Sequence, residues 1–275
     1  MIEKKWILKH LDLSKVKKLK EQLKVTPEPL CSLFVVRGLD NYEMAKDYFT
    51  PSITSLHNPW TMKGMEEAVN RVTTAMERKE NILLFGDYDV DGTTAVAMML
   101  RFLANHYSKK SIFYYIPDRY KEGYGLSQQG IDFAKEQKVT LIITLDCGIT
   151  SSELINQSKK EGIDYIICDH HLPGPELPEA AAILNPKQPI CNYAFKELCG
   201  AGVTFKLITA LCNQLGLPSK DYLCYLDMVA LATGADVVPI LDENRIITFW
   251  GLKKINDNPI AGIAAMKKLN QSTKE

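Results

Sequence analysis

Three aspartates, Asp87, Asp89 and Asp91, stand at every second position of one short segment. The apolar run 81–85 precedes them, and Gly86 separates this run from the first aspartate. An apolar run that stops at a glycine is typical of a buried parallel strand, and α/β proteins bind their ligands at the carboxyl ends of such strands. Carboxylates crowded in a partly desolvated crevice repel one another, so their pKa values rise or divalent cations bind among them. The segment therefore predicts a metal site at the end of a strand.

Two other interpretations of this segment compete with that prediction. A calcium loop of the EF-hand type opens with the same Asp-x-Asp-x-Asp-Gly pattern, but its twelfth position is Met98 here, where a bidentate glutamate is required. The run 93–103 also indicates a continuous helix instead of a flexible loop. A solvated acidic turn is the plainer alternative, and it stays open on this segment alone.

Two later segments repeat the arrangement of an apolar strand followed by ligand-type residues. The run 140–145 ends at Asp146, and the run 164–168 is followed by Asp-His-His at 169–171. A single histidine after a strand is more often a hydrogen-bonded structural residue than a ligand. Three consecutive strands with such endings are a stronger signal, because parallel connections bring their carboxyl ends into one crevice.

A fourth candidate ligand comes from the segment 225–236. Its apolar spacing predicts a helix that breaks near Gly234 and leaves Asp236 just beyond its end. Asp236 by itself could cap a helix or face solvent. Beside the three strand ends it is a candidate for the last ligand of the same site.

Six motifs carry a resemblance to a known family. They are GDYDVDG, IPDRYKEGYGL, TLDCG, CDHH, LCGAGV and LATGAD, at residues 86–92, 116–126, 144–148, 168–171, 198–203 and 231–236. In this order and at this spacing they resemble the DHH phosphoesterase superfamily, which is named after its Asp-His-His motif. The second and fifth motifs resemble, within that superfamily, the RecJ family of single-strand-specific DNA exonucleases. The resemblance runs from about residue 56 to residue 239.

The resemblance implies a metal-dependent phosphodiesterase, a 5′-to-3′ exonuclease on single-stranded DNA that acts in DNA repair and recombination. It also implies two divalent ions, normally Mn²⁺ with Mg²⁺ as the other choice. Carried over residue by residue, the implied ligands are Asp89, Asp91, the bridging carboxylate Asp146, the imidazole of His170, and Asp236. Other members of the superfamily have a histidine four residues before Asp89, where this chain has Phe85, and Asp87 can take over part of its work.

The residue types agree with such a centre. Mixed oxygen and imidazole ligands suit Mn²⁺, and two ions about 3.5–4 Å apart can activate a water molecule and neutralise charge on a phosphate. His171 is the candidate catalytic residue, at the scissile phosphate or the leaving oxygen, or else it orients a ligand. Arg119 and Tyr124 are candidates for substrate binding. Arg119 can pair with a phosphate, or with Glu122 one helical turn away.

The composition is that of an intracellular α/β enzyme. The chain has 275 residues, 46% of them apolar, and a net charge of zero, which gives no general signal for nucleic acid. No apolar run approaches the roughly 18 residues that a membrane helix needs, and no signal peptide opens the sequence. The seven cysteines form no Cys-x-x-Cys pair. We therefore expect no disulfide framework, no membrane association and a reducing, cytoplasmic location.

Helical and strand-like segments alternate along the sequence. This pattern predicts a doubly wound, mainly parallel five-stranded sheet with helices on both faces. The predicted strands are 81–85, 111–116, 141–145, 165–168 and 181–184, and the predicted helices are 14–24, 64–78, 93–106, 127–136, 151–161, 197–215 and 221–231. Three parts are expected. They are a basic helical lead-in at 1–60, the DHH catalytic domain at 61–240, and at 241–275 the start of a linker to a missing C-terminal domain.

The partner predictions follow from the resemblance and from one charged segment. Eight lysines crowd residues 4–24, as a solvated helix face or as a surface that contacts phosphates. Single-stranded DNA is the expected partner, and a single-strand-binding protein or a helicase is a further candidate. Two alternatives stay open. One is a DHH hydrolase of short oligonucleotides, cyclic dinucleotides or pyrophosphate, and the other is a catalytically silent module that binds nucleic acid or a protein partner.

Overall fold

A computed structural model describes Ile7 and residues 10–270 of the chain. The lysines at positions 4, 5 and 9, which belong to the predicted basic segment, lie outside the described residues. The chain divides after Ser55 into two compact units. The catalytic domain expected at 61–240 and the linker expected from 241 onward stay predictions.

The first unit is helical. Its helices are α1 (Leu13–Leu23), α2 (Glu28–Val36) and α3 (Tyr42–Phe49). Val16 and Leu19 of α1 are buried against Cys31 of α2. The sequence predicts only α1, because the apolar run in α2 is nearly continuous and lacks helical periodicity, and α3 has only eight residues.

Two of the predicted basic residues in α1 have partners within this unit. The Lys15 ammonium lies 2.8 Å from Asp40 Oδ2, and that of Lys20 donates to the carbonyl groups of Lys24 and Thr26. The ion pair with Asp40 offsets the charge that Lys15 presents for binding phosphates, and the two carbonyl groups occupy donors of the Lys20 ammonium.

The second unit contains a five-stranded sheet. Its strands are β1 (Asn81–Gly86), β2 (Ile112–Tyr115), β3 (Val139–Leu145), β4 (Asp164–Cys168) and β5 (Ala182–Leu184). The strand order is β2-β1-β3-β4-β5, and every neighbouring pair is parallel. This confirms the predicted α/β fold with a parallel sheet.

Nine helices are described around this sheet. They are α4 (Met65–Arg78), α5 (Val90–His106), α6 (Gln128–Glu136), α7 (Ser152–Lys159), α8 (Gly200–Gln214), α9 (Lys220–Leu223), α10 (Leu226–Ala235), α11 (Asp242–Asp257) and α12 (Ala261–Leu269). The single helix predicted at 221–231 is wrong, because the chain forms α9 and α10 there, with the buried Tyr225 between them. Helix α11 has no counterpart among the helices predicted from the sequence. None of the described helices is both long and apolar enough to cross a membrane.

Helices cover both faces of the sheet, as predicted. Leu83 and Phe85 of β1 pack with residues of α6 and α7 in one apolar cluster. Ile82 and Leu84 alternate with them and are fully buried on the other face, where α4, α5 and α8 contact the strands. Because helices cover both faces of the sheet, a site can form at the ends of the strands.

A buried ion pair joins α8 to α11. Lys206 is 1% exposed and Glu243 is fully buried, and the Lys206 ammonium contacts Glu243 Oε1 and donates to the His57 carbonyl group at 2.9 Å. The Tyr193 hydroxyl donates to Glu243 Oε2 at 2.5 Å. Burial lowers the pKa of Lys206, and the Glu243 charge opposes this effect. The pair holds α8, whose first turn borders the site described below.

Replacing Lys206 by methionine should destabilise the protein, because Glu243 would keep a buried charge without its partner. Removing one member of a buried pair costs about 3–5 kcal/mol, and we expect that loss in the free energy of unfolding. Lys206→Met combined with Glu243→Gln should recover much of it, since the unpaired charge is gone.

Urea denaturation of the three proteins tests this prediction. Lys196→Met is the control, because the Lys196 ammonium donates to the single carbonyl group of Cys191. We expect that control to stay within about 0.5 kcal/mol of the unchanged protein. A double variant as unstable as Lys206→Met would contradict the account.

Candidate metal centre

Three strands of the sheet each end at an aspartate. Asp87 follows β1, Asp146 follows β3 and Asp169 follows β4. The backbone N–H of each aspartate donates to a carbonyl group of the neighbouring strand and so extends the ladder by one bond. The acceptors are Leu145, Cys168 and Leu184, at 3.3, 2.8 and 3.0 Å. These bonds hold the three aspartates side by side at the carboxyl edge of the sheet.

The first ligand group consists of Asp87, Asp89 and Asp146, whose carboxylate oxygens lie within 4.8 Å of one another. Asp89 caps the start of α5, since its Oδ1 accepts a hydrogen bond of 2.9 Å from the Gly92 N–H. Asp146 has a left-handed backbone conformation, with a φ of 64°. Such a conformation is uncommon for residues other than glycine and clusters at functional sites.

The second ligand group consists of Asp91, His170 and Asp236, again within 4.8 Å. His170 Nε2 lies 3.8 Å from Asp91 Oδ2 and 3.7 Å from Asp236 Oδ2. The same nitrogen lies 3.2 Å from Asp146 Oδ1, and Asp146, His170 and His171 form a third such group. Asp146 therefore lies between the other two groups and can offer an oxygen to each.

Several polar atoms of these residues are buried and form no hydrogen bond with any described residue, although two of them, His170 Nε2 and Asp146 Oδ1, lie 3.2 Å apart. The buried atoms are Asp87 Oδ1, Asp146 Oδ1, Asp236 Oδ2 and both ring nitrogens of His170. Leaving a buried polar atom unpaired costs about 1–3 kcal/mol, so most are paired in folded proteins. Their convergence fits divalent cations that accept carboxylate oxygen and imidazole nitrogen together.

The pKa values of the candidate ligands also indicate a cation site. Burial, together with the charges of neighbouring aspartates, raises the pKa of Asp146 to about 11. Burial is also the main reason that the pKa of Asp236 is raised to about 6 and that the pKa of Asp87 lies above its ordinary value. Burial lowers the pKa of His170, which favours the neutral imidazole that metals bind. Cations among the carboxylates would offset this cost of ionisation.

The first turn of α8 touches two of the candidate ligands. The Gly200 and Ala201 N–H groups donate to the two oxygens of Asp91, at 2.6 and 2.8 Å. A Cβ atom on Gly200 would lie 2.5 Å from Asp146 Cβ and Oδ1, so only glycine fits at this position. The two N–H groups lie at the positive end of the helix dipole, and they stabilise the charge of Asp91. Sequence reasoning places Asp91 at the site but misses this partner.

Asp169 has a role that the sequence analysis does not assign. Its Oδ1 accepts hydrogen bonds from the N–H groups of His170 and His171, and Oδ2 accepts one from Ile149. Oδ1 also lies 2.7 Å from His171 Nδ1. Burial raises the pKa of Asp169, but the hydrogen bond with His171 and the other donors outweigh it and lower the pKa. The position of Asp169 directly after a buried strand is the signal that could have identified it.

His171 and Tyr124, both predicted site residues, lie in contact. The Tyr124 hydroxyl is 3.1 Å from His171 Nε2, and it donates to the Asp146 carbonyl group at 3.3 Å. The hydrogen bond with Asp169 raises the pKa of His171, which favours its charged form. A half-exposed imidazole that can carry a proton therefore faces solvent beside the two ligand groups.

Arg119 reaches the site through an aromatic neighbour. Its guanidinium carbon lies 5.2 Å from the centre of the Tyr88 ring, and the Tyr88 and Tyr124 rings are 6.5 Å apart. No ion pair joins Arg119 to Glu122 in the described part of the chain, so the alternative of that pairing is wrong. The structure brings the six predicted ligands, His171 and Tyr124 together at the carboxyl ends of the strands, and Arg119 contacts the Tyr88 ring next to Tyr124.

The competing interpretations of the first motif do not hold. Helix α5 is continuous from Val90, so residues 90–98 do not form a calcium loop. Asp87 and Asp91 are each 1% exposed, which is unlike a solvated acidic turn.

Known proteins are similar to this chain in sequence and in fold. Residues 81–233 match the family model described as "DHH family, N-terminal domain". The single-stranded-DNA-specific exonuclease RecJ of Bacillus subtilis (strain 168) is 43% identical over 266 residues, which are 97% of this chain and 33% of that protein. RecJ of Escherichia coli (strain K12) is 38% identical over 209 residues, which are 72% of this chain and 36% of that protein.

Solved structures of RecJ are similar as well. One is exonuclease RecJ bound to manganese, with a TM-score of 0.70 and 33% identity over 78% of this chain and 54% of that chain. Another is RecJ from Thermus thermophilus in complex with Mn²⁺, with a TM-score of 0.78 and 28% identity over 96% of this chain and 37% of that chain.

The chain belongs to the DHH family. The resemblance to RecJ is also confirmed by these relatives, and the chain spans about a third of the length of those compared by sequence.

The fit between Gly200 and Asp146 generates a prediction. Gly200→Ala should lower the free energy of unfolding by about 1–3 kcal/mol, because overpacking forces the Asp146 side chain or α8 to move. Gly262→Ala in α12 is the matched control, since a Cβ there meets nothing within 4 Å. That control should be stabilised by about 0.5–1 kcal/mol, as alanine favours the helix. Thermal or urea unfolding measures both, and equal stability of the two variants would contradict the close contact.

Proposed function

We propose that this chain carries the catalytic domain of a metal-dependent phosphodiesterase that removes nucleotides from single-stranded DNA in the 5′-to-3′ direction. The observation that carries the proposal is the pair of adjacent ligand groups: Asp146 belongs to the first and lies 3.2 Å from His170 of the second, and several of their buried polar atoms have no hydrogen-bond partner among the described residues. Relatives named as single-stranded-DNA-specific exonucleases support the substrate. A role in DNA repair and recombination follows from the same relationship.

The proposed metal ligands divide into two sets. Asp87, Asp89 and Asp146 would hold one ion, and Asp91, His170 and Asp236 the other, with Asp146 between them. Mixed oxygen and nitrogen ligands favour Mn²⁺, with Mg²⁺ as the alternative, and solved RecJ structures include a complex with each ion. When bound, such ions activate a water molecule and neutralise charge on the phosphate.

The remaining site residues would bind and orient the substrate. Arg119 has a planar guanidinium group that suits a phosphate, and the Tyr88 ring supports it. His171 is oriented by Asp169 and can hold a proton at Nε2 toward the scissile phosphate or the leaving oxygen. The Tyr124 hydroxyl also contacts the His171 ring, 3.2 Å from Nδ1 and 3.1 Å from Nε2.

The partners and the location of the chain are also proposed from its similarity to RecJ. Single-stranded DNA would be the partner, and its phosphates would contribute most of the affinity, which would fall as salt rises. Lys17 and Lys18 of α1 are exposed and could contact phosphates of the DNA. A single-strand-binding protein or a helicase would supply the substrate, in the cytoplasm. We also propose that residues 1–60 form a basic helical lead-in and that a linker starts at residue 241.

A nuclease assay tests the proposed function. Labelled single strands, a matched duplex, short oligonucleotides and pyrophosphate are incubated with the chain and Mn²⁺. We expect mononucleotides from the 5′ end of single strands, and a loss of release with a chelator. Hydrolysis of only the short oligonucleotides or pyrophosphate would favour the other DHH activities. Tight binding of Mn²⁺ and DNA without cleavage would favour a silent module.

The two histidines should separate metal binding from turnover. His170→Ala should weaken Mn²⁺ binding by at least about 10–100-fold, the range known for residues that only support a ligand. His171→Ala should leave Mn²⁺ affinity nearly unchanged and lower turnover by about 10²–10⁴-fold, the contribution of a general acid or base.

Calorimetry with Mn²⁺ and single-turnover kinetics measure the two effects. His106→Ala, at the far end of α5, is the control and should change neither. An equal loss of Mn²⁺ affinity in His170→Ala and His171→Ala would show that the roles are assigned wrongly.

A further inference from the structure

Glu122 is the centre of a hydrogen-bond cluster that no step of the proposed function uses. Its Oε2 accepts hydrogen bonds from the Tyr115 hydroxyl at 2.8 Å and the Ser127 hydroxyl at 2.6 Å. Its Oε1 accepts one from the Asp118 N–H at 2.8 Å. The three donors come from the end of β2, from the residue that caps α6, and from the loop between them. One carboxylate thus fixes both ends of this loop, residues 116–127, and its first turn.

The two ends of the loop are anchored in the core. The Tyr115 ring stacks on Phe85 of β1, with ring centres 5.4 Å apart. The Ser127 hydroxyl, besides donating to Glu122, accepts the Gly130 N–H at 3.1 Å and so caps α6. Burial, followed by the hydrogen bond to Glu122, raises the pKa of Tyr115 to about 12, so its hydroxyl stays a donor. Glu122 therefore connects the loop to parts of the fold that do not move easily.

The same loop carries the residues that reach the metal centre. Arg119 lies over the Tyr88 ring, and Tyr124 contacts His171 and the Asp146 carbonyl group. The glycines on either side of Tyr124, Gly123 and Gly125, have φ values of 84° and 83°. Because glycine adopts positive and negative φ values about equally readily, these two residues give the segment little intrinsic preference for one conformation, and contacts with the rest of the fold must select it.

We propose that Glu122 is a positioning residue that sets the conformation of loop 116–127 and thereby holds Arg119 and Tyr124 at the metal centre. This inference rests on the proposed function for its consequence in catalysis. Its structural part, the order of the loop, can be measured without activity.

A carboxylate suits this arrangement best. All three partners of Glu122 donate to it, and an ionised carboxylate is purely an acceptor. In glutamine the amide nitrogen would face either the Asp118 N–H, which cannot accept, or the Tyr115 and Ser127 hydroxyls, which would have to turn from donors into acceptors. Glu122→Gln therefore removes the charge that strengthens these hydrogen bonds, while it preserves the volume of the side chain.

Hydrogen exchange followed by mass spectrometry or NMR tests the order of the loop. In Glu122→Gln we expect the amides of Asp118, Tyr120 and Lys121 to exchange about 10–100-fold faster, the range for losing a hydrogen bond to a charged group. Amides of the sheet should be unchanged. Tyr115→Phe removes one of the three donors and should give a smaller increase in the same amides.

Kinetics on single strands test the consequence. Misplaced binding groups should raise the KM of Glu122→Gln and lower its kcat/KM by about 10–100-fold, as loosened positioning typically does. A purely structural role would reduce the amount of folded enzyme at an unchanged KM. Glu179→Gln is the matched control, since Glu179 is exposed and pairs with Lys159 alone among the described ion pairs.

Each outcome decides the inference. Faster exchange confined to the loop, together with a raised KM, supports it. Unchanged exchange, an increase across the whole chain, or local loosening with an unchanged KM overturns it. If Glu122→Gln fails to fold, Tyr115→Phe is judged by the same criteria. If the unchanged chain has no nuclease activity, the proposed function fails, and the exchange data decide the structural role of Glu122 by themselves.

Discussion

Crowding of carboxylates at one edge of a parallel sheet is the constraint on which the rest of this structure depends. Asp87, Asp91 and Asp146 are each at most 2% exposed. Burial and mutual repulsion raise the pKa of Asp146 to about 11, and its Oδ1 has no hydrogen-bond partner among the residues that the structure describes. Such a group is costly to keep unless cations compensate it, and His170, with two unpaired ring nitrogens, completes the set of ligand types.

The fold supports this cluster with hydrogen bonds to backbone and side-chain groups, some of them from elements distant in sequence. The first turn of α8 stabilises the charge of Asp91, and Asp169 holds the backbone and the ring beside the ligands. Glu122 accepts hydrogen bonds that fix the loop 116–127, which carries the substrate-binding candidates Arg119 and Tyr124. The buried Lys206–Glu243 pair fixes α8 itself. Binding and orientation are thus built on rigid elements, which suits chemistry that depends on the placement of a phosphate.

The sequence predicts the sheet well, because its strands are short apolar runs, and β1, β3 and β4 are each followed directly by an aspartate. Sequence patterns do not predict contacts between residues that are far apart in the sequence, or helices whose apolar residues lack helical periodicity. Asp91 meets α8 across 109 positions of sequence, which no local pattern indicates. Glu122 has the spacing to pair with Arg119 on a helix, but the segment is a loop, and Tyr115 and Ser127 bind Glu122 instead. Helix α2 escapes prediction because its apolar run has no helical periodicity.

The central claim is that two cations compensate the carboxylates and share Asp146. Counting bound Mn²⁺ by calorimetry, with anomalous scattering to locate the ions, tests it most directly on the unchanged chain and on Asp146→Ala. The account predicts two ions in the unchanged chain and weakened binding of both in the variant, because one shared oxygen ligand is lost from each. A single ion in the unchanged chain, or a second site that Asp146→Ala leaves unchanged, would contradict it.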